Sequence, residues 1–143
     1  MKQTFSFPFS YTLNKTGLPI VPVTIGEYAI LLIIDTGATS SIIDGSVVNQ
    51  LGNLIENLNK KSSTMGIDGK TEEGDVYEIS FHIEKHTYTQ EFITKSLFDA
   101  LIGFELNSGL QVHGILGTEF LVKNNWIIDF ENFEVYSNKN NVL

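Results

Sequence analysis

The sequence contains no cysteine and no arginine, and each absence excludes a class of function. Without cysteine the chain has no disulfides, no thiolate nucleophile and no zinc–sulfur centre. Without arginine, nine lysines face 17 acidic residues, and the formal net charge is −8. Because phosphate groups are bound by clusters of basic side chains, this balance predicts that neither nucleic acid nor an anionic membrane is a partner.

Long apolar runs are also lacking. No segment approaches the roughly 18 apolar residues that a membrane-spanning helix needs. Residues 1–10 alternate polar and apolar side chains instead of forming the apolar stretch of a secretion signal. We therefore expect a cytoplasmic protein. The composition, 42% hydrophobic and 18% charged over 143 residues, predicts one folded domain, residues 1–143, with a single core.

Most of the chain alternates β-branched or aromatic residues with polar ones, which is typical of strands. Strands are predicted at residues 4–13, 18–25, 28–34, 126–130 and 133–136, with long paired strands between residues 62 and 95. Short helices are predicted after Asp44 as N-cap, at residues 118–123 with Thr118 as cap, and within residues 96–110. Residues 53–61 carry little pattern and are predicted to be an irregular connection. The fold class is therefore expected to be all-β with two or three short helices.

An aspartate follows the most apolar of these strands. Residues 28–34 are almost continuously apolar and lead into Asp35, Thr36 and Gly37. A carboxylate at the end of a buried strand is costly unless its surroundings satisfy it. A threonine hydroxyl can brace a neighbouring backbone, and a glycine permits close backbone approach because it has no Cβ. The segment therefore predicts a rigid loop that holds one carboxylate, although an Asp-Thr-Gly tripeptide alone also starts ordinary turns.

A second apolar segment strengthens this interpretation. About eighty residues after Asp35, the run Ile115-Leu116-Gly117 leads into a predicted helix. An apolar strand before Asp-Thr-Gly-Ala, a glycine-rich turn about thirty residues on, and Ile-Leu-Gly before a helix together resemble the retropepsin-like aspartic proteases. This family comprises the retroviral proteases and their bacterial single-domain relatives. The resemblance covers residues 22–136 and implies a closed or partly open acid-protease β-barrel with a flap hairpin.

The resemblance also implies a role for each matching residue. Asp35 would be the catalytic aspartate, Thr36 would hydrogen-bond to the opposite loop across a dimer axis, and Gly37 would offer its backbone near the substrate. The active-site loop would contain Thr36, Gly37 and Ala38. The flap tip that closes over a bound peptide would contain Met65, Gly66, Ile67, Asp68 and Gly69. The loop would be supported from beneath by Ile115, Leu116 and Gly117.

One chain has only one such carboxylate, whereas peptide hydrolysis by this route uses two. Two like charges about 3 Å apart cannot both ionise, so the pair shares one proton and acts as base and acid together. None of the other aspartates is followed by Thr-Gly. The second carboxylate must therefore come from a twofold mate, which implies a homodimer that cleaves peptide or protein substrates. Retroviral members carry an arginine where this chain has Thr118, and in this respect the chain matches the bacterial members better.

Three other patterns point to competing chemistry. Residues 69–71 read Gly-Lys-Thr, but the earlier glycine of a phosphate-binding loop is replaced by Thr64. His82 and His86 are four residues apart, but no glutamate follows the first, and a strand is expected where the metalloprotease motif needs a helix. His113 is interpreted as a loop or surface histidine. We therefore predict neither a metal nor a cofactor.

A second class of function stays open beside the protease. The same fold without activity would serve as a peptide-binding or scaffolding module. Asp68 adds a charge at the flap tip, and the residues after Tyr136 are polar, which fits such a module. The Asp-Thr-Gly sequence favours the endopeptidase, because a binding module has no need of an awkwardly placed carboxylate.

Overall fold

Hydrogen-bonded strands account for most of the chain. The computed structural model describes residues 5–66 and 68–137 and contains, within them, ten strands and four short α-helices. The strands are β1 (Phe5–Pro8), β2 (Ile20–Ile25), β3 (Tyr28–Ile34), β4 (Ile42–Asp44), β5 (Glu56–Met65), β6 (Thr71–Ile83), β7 (His86–Lys95), β8 (Gly114–Leu116), β9 (Ile127–Asp129) and β10 (Glu134–Ser137). The helices are α1 (Ser10–Thr16), α2 (Gly45–Leu51), α3 (Phe98–Ser108) and α4 (Thr118–Lys123).

Six of the strands close into a barrel. The sheet order β2-β3-β8-β4-β7-β6 returns to its start because β6 also pairs with β2, at His82 and Thr24. β8 runs parallel to β3, and β4 runs parallel to β7. β5 pairs only with β6 and so extends outward from the barrel. This architecture confirms the predicted all-β barrel of the acid-protease type.

Alternation along the strands fills the interior of the barrel. On β6, Ile79, Phe81 and Ile83 are buried, whereas Ser80 and His82 between them are exposed. Complete burial of a side chain of this size contributes about 1.5–3 kcal/mol. The barrel therefore owes its stability to the period-two pattern that predicted its strands.

A smaller sheet, with the order β1-β10-β9, packs on the same core. Phe5 of β1 stacks on Trp126, with the ring centroids 5.3 Å apart, and meets Tyr88 of β7 edge-on at 6.0 Å. Val135 of β10 is fully buried in the same cluster. This sheet contains the predicted terminal hairpin, and it attaches both ends of the described chain to the barrel.

The strand predicted at residues 4–13 is wrong beyond residue 8, and residue 4 lies outside the described residues. β1 ends at Pro8, which has no N–H to donate to a neighbouring strand. α1 follows, and Gly17 ends it in the left-handed conformation with φ 79°. Tyr11, expected on the buried face of a strand, is 67% exposed on this helix. With α1, the described chain has four α-helices, whereas the sequence predicted two or three.

The irregular connection predicted for residues 53–61 is also wrong, because β5 begins at Glu56. Its pairing with β6 is interrupted between Asn57 and Lys61, where Asn59 adopts φ 55°. Nearly all of β5 is exposed on both faces. A strand without a buried face needs no apolar alternation, so its sequence shows none.

Asp44 occupies the predicted N-cap position of α2, but its carboxylate does not cap the helix. Oδ1 instead accepts a hydrogen bond from the backbone N–H of Leu97 at 2.9 Å, and Oδ2 accepts one from the hydroxyl of Ser46. Asp44 therefore ties the end of β4 to the segment that follows β7.

His113 lies in the loop before β8, as predicted, but it is partly buried and bonded. Its Nδ1 accepts a hydrogen bond from the Leu31 N–H at 3.2 Å, and its own N–H donates to the Leu31 carbonyl at 2.9 Å. Burial lowers the pKa of His113 from its ordinary value of 6.5, and the charges of Asp44 and Glu105 offset part of that effect.

We expect the free energy of unfolding to decrease as the pH falls below 6.5. The pKa of His113 is lower in the folded chain, so the unfolded chain takes up the proton first. This contribution to stability is complete above the unfolded pKa and is lost as the pH falls toward the folded one. Urea titrations at about pH 7.5 and about pH 5.5 measure it. His113→Gln cannot titrate and should lose less stability, and an equal loss in both proteins would contradict the expectation.

Candidate active site

The chain reaches Asp35 at the end of β3, and we call residues 35–41 the Asp35 loop. β3 lies between β2 and β8, so its end is held on both sides. The Asp35 N–H donates to the carbonyl of Leu116 on β8 at 3.0 Å. Ile34 is buried, whereas the side chain of Asp35 is partly exposed. The barrel therefore brings a carboxylate to its surface from a fixed strand.

One hydrogen bond inside the loop orients that carboxylate, and a second holds the backbone that carries it. The Gly37 N–H donates to Oδ1 of Asp35 at 2.8 Å, and the Ala38 N–H donates to the Asp35 carbonyl at 3.2 Å. Within residues 5–66 and 68–137, Oδ2 of Asp35 receives no hydrogen bond. The carboxylate is thus held through one oxygen and available through the other. Thr36 is exposed next to it.

The residues predicted to support the loop lie directly against it. Ile115 and Leu116 pair in parallel with Ile33 and Ile34 at the end of β3, and Leu116 is fully buried. Gly117 lies so close to the loop that a Cβ on it would come within 2.7 Å of the carbonyl carbon and oxygen of Ser40. A side chain cannot be accommodated at that distance from backbone atoms.

Thr118, predicted from the sequence to cap the last helix, binds the Asp35 loop instead. It is the first residue of α4, and Gly117 takes the N-cap position. The Thr118 N–H donates to the Ala38 carbonyl at 2.7 Å, and its hydroxyl donates to the Thr36 carbonyl at 3.1 Å. Thr118 therefore fixes the middle of the Asp35 loop through two backbone carbonyls.

Three more polar residues that the sequence analysis missed complete the support. The Ser41 hydroxyl accepts from the Gly117 N–H at 3.0 Å, and the Ser41 N–H donates to Oε1 of Glu119 at 2.6 Å. The side chain of Gln90 donates to the same Oε1 at 3.2 Å. The available signal was the pair Thr-Glu directly after Ile-Leu-Gly, where two polar residues interrupt an apolar segment.

The flap predicted at residues 65–69 is the hairpin turn between β5 and β6, and Ile67 lies outside the described residues. The Gly66 N–H donates to the Lys70 carbonyl at 3.0 Å, and the Gly69 N–H donates to the Gly66 carbonyl at 3.0 Å. Oδ1 of Asp68 accepts from the Lys70 N–H at 2.9 Å, which is a local aspartate turn. Met65 is 72% exposed at the end of β5.

The Asp35 loop and the flap enclose a cavity of about 450 Å³. Its walls are residues 37–40 and Ile42 on the loop side and residues 64–66 on the flap side. None of these side chains carries a charge. This volume lies within the range of pockets that bind small ligands or single side chains. Of the predicted site residues, Gly37, Ala38, Met65 and Gly66 line this cavity. Asp35 and Thr36 come just before Gly37 and are not among its lining residues.

A second cavity of about 450 Å³ lies at the base of the flap, and no residue of the Asp35 loop lines it. Its charges largely pair, since Lys61 lies 3.1 Å from Asp75 and Lys95 lies 3.8 Å from Glu72. We assign no chemistry to it.

Among the described residues, no group of three or more His, Asp or Glu side chains is placed to hold a metal ion. No helix in the same part of the chain has the length and apolar character to cross a bilayer.

Comparison with known proteins agrees with this geometry. A family model described as aspartyl protease matches residues 21–120, which run from β2 into α4 and include the Asp35 loop, the flap and Gly117. No curated protein matches the chain. The family match covers more than half of the 143 residues. The chain therefore belongs to the aspartyl protease family, as its resemblance to the retropepsin-like proteases implied.

Proposed function

We propose that the protein is an aspartic endopeptidase whose active site combines Asp35 from two copies of the chain. The observation that carries the proposal is the Asp35 carboxylate, held through Oδ1 by Gly37 and free at Oδ2, on a loop whose next residues, 37–40, line an uncharged cavity under the flap. Membership of the aspartyl protease family supports hydrolysis of peptide bonds.

The other aspartates of the described chain serve local structure, which supports recruiting the second carboxylate from another copy. Asp44, Asp68 and Asp75 bind nearby groups, and Asp99 lies in the first turn of α3. Asp129 accepts three hydrogen bonds in the turn between β9 and β10, two of them from Asn132. The bonds from Asn132 hold the pKa of Asp129 below its ordinary value of 3.8.

A twofold axis would bring the two Asp35 carboxylates together around one water molecule. Held about 3 Å apart, they share one proton, because two charges at that distance repel strongly. The charged carboxylate takes a proton from the water as its oxygen attacks the scissile carbonyl carbon. The neutral carboxyl donates its proton to the carbonyl oxygen. When the intermediate collapses, the C–N bond breaks and the leaving amine takes up the proton that the first carboxylate received from the water. A hydroxyl of the intermediate returns its proton to the second carboxylate as the new carboxylic acid forms, so the pair again shares one proton.

The cavity indicates the kind of substrate that fits beside this pair. Ala38 and Ile42 line it from below and Met65 from the flap, so the pocket offers apolar contact without a charge. An extended peptide with an apolar side chain next to the scissile bond matches such a pocket. A charged side chain there would lose its hydration without gaining a partner.

We expect peptide cleavage to be fastest between about pH 4 and pH 6 and to fall at higher pH, where both carboxylates ionise. A peptide-library digest at several pH values between about 4 and 9, with a sizing measurement on the same samples, checks this. Activity should appear only in samples that contain dimers. Activity that rises steadily through about pH 9 would contradict a pair that shares one proton.

The same digest decides between the endopeptidase and a silent peptide-binding module. Peptides that are retained by the dimer but never cut would favour the module. In the sequence, the charge of Asp68 favoured the peptide-binding module. The structure gives it a local role, because its carboxylate accepts a hydrogen bond from the Lys70 N–H within the flap turn. We therefore propose the endopeptidase alone.

A further inference from the structure

The far end of the Asp35 loop is anchored more firmly than any sequence pattern suggests. Ser41 is 1% exposed, and all three of its polar groups are bonded. Its N–H donates to Glu119, its hydroxyl accepts from the Gly117 N–H, and its carbonyl accepts from the Ile93 N–H at 3.0 Å. Ser41 therefore joins the loop to α4 and to β7 at one point.

The bond between Ser41 and Glu119 is the shortest of these contacts. The Ser41 nitrogen lies 2.6 Å from Oε1, which is shorter than most N–H···O hydrogen bonds in proteins. The side chain of Gln90, itself buried, donates to the same oxygen at 3.2 Å. Two donors from different parts of the barrel thus fix the position of one carboxylate oxygen.

The second oxygen of Glu119 has no comparable partner. Oε2 is buried and, within the described residues, receives no hydrogen bond. It lies against the backbone beneath the loop, since a Cβ on Gly117 would be 2.6 Å from Oε2 and 2.7 Å from the carbonyl oxygen of Ser40. An unbonded buried carboxylate oxygen destabilises a fold. Glu119 gains hydrogen bonds through Oε1 alone, and one of the two comes from the Asp35 loop, so the loop offers a reason for a glutamate at this position.

We infer that Glu119 is a positioning residue, which keeps the Asp35 carboxylate in place by fixing the far end of its loop. The inference rests on the proposed endopeptidase function. The near end of the loop is held by Leu116 and its middle by Thr118. At the far end, Glu119 accepts the Ser41 N–H, while Gly117 and Ile93 bind the other two polar groups of Ser41. Loss of Glu119 therefore loosens this end of the loop while the barrel stays closed. A catalytic carboxylate displaced by about 1 Å loses up to about a hundredfold in rate.

Four proteins test this inference with one peptide substrate. In Glu119→Ala, which removes the acceptor, we expect kcat to fall by about tenfold to a hundredfold and KM to change by less than about threefold. In Glu119→Gln, the amide oxygen still accepts from Ser41, and kcat should stay within about threefold of the wild type. Glu27→Ala removes an exposed glutamate in the turn before β3 and should match the wild type.

Thermal unfolding of each protein separates positioning from general stability. All rates are measured well below the lowest melting temperature, so that every sample is folded. If Glu119→Ala does not fold, Glu119→Asp takes its place, because it keeps the charge but is one methylene too short to reach Ser41. We expect Glu119→Asp to lose kcat as well.

Two results would overturn the inference while leaving the endopeptidase intact. One is an alanine or aspartate variant that melts earlier than the wild type but has unchanged kcat. The other is a Glu119→Gln variant that loses as much kcat as Glu119→Ala. A wild type that cleaves no peptide is a different outcome, because it refutes the proposed function and the positioning role with it.

Discussion

Replacing Asp35 with asparagine is expected to reduce peptide cleavage by at least about 10⁴-fold, as the loss of an essential catalytic group does in other hydrolases. The amide cannot accept a proton from water, but its Oδ1 still accepts the Gly37 N–H, so the fold should be kept. Initial rates with a cleavable peptide measure the loss, and thermal unfolding measures the fold. Asp99→Asn, which neutralises an exposed aspartate on α3, is the matched control and should remain active.

The Asp35→Asn protein also tests whether two copies share one site. Mixing equal amounts of wild type and variant, and allowing subunits to exchange, leaves about a quarter of the dimers with two native aspartates. Activity should then fall to about a quarter of the unmixed value for the same total protein. Activity of one half would mean that each chain works alone, and turnover by the pure variant would contradict the role of Asp35.

Gly117→Ala is expected to destabilise the fold by about 2 kcal/mol or more and to slow cleavage. The backbone at Gly117 has φ −88°, which alanine adopts readily, so conformation alone would favour the change. Steric overlap outweighs this gain, because the new Cβ would lie 2.7 Å from the Ser40 backbone and 2.6 Å from Oε2 of Glu119. The loop must move to relieve that overlap. Urea unfolding and initial rates measure the two effects.

Gly103→Ala is the matched control for that substitution. Gly103 lies inside α3, and a Cβ there would have no atom within 4 Å. Alanine favours a helix over glycine by about 1 kcal/mol, so this variant should be slightly more stable than the wild type. If both glycine variants behaved alike, the close packing of Gly117 on the Asp35 loop would not be important for stability.

The barrel could be predicted because most of its strands carry a local pattern. β3 is apolar throughout its second half, and β6 alternates along its buried part. The position of Asp35 after β3, and of Gly117 after β8, followed from those strands. The closed barrel and the flap were predicted from the resemblance to a known family, which depends on the order of several motifs and not on any one of them.

The errors have physical causes in the same elements. β5 is held by backbone pairing with β6 and has no buried face, so hydrophobic periodicity cannot reveal it. α1 was predicted as strand because the aromatic alternation that begins at Phe5 continues to Tyr11, beyond Pro8, where β1 ends.

The polar support of the Asp35 loop could not be predicted for a different reason. The bond from Ser41 to Glu119 joins residues 78 positions apart, and that from Gln90 to Glu119 joins residues 29 apart. Ser41 and Gln90 look like ordinary surface residues in the sequence, and the position of Glu119 directly after Ile-Leu-Gly-Thr does not tell which groups it binds. Only the closed barrel brings the three together beneath the loop.

The outer position of β5 divides the molecule into two parts with different resistance to opening. The barrel must expose apolar side chains to open, whereas β5 has almost none to expose and is joined to its neighbours by the ladder with β6 and by surface ion pairs such as Lys60 with Glu91. Exposed ion pairs of this kind contribute at most about 1 kcal/mol. We therefore expect backbone amides of β5 to exchange their hydrogens with solvent sooner than those of β7, whose opening would expose buried side chains.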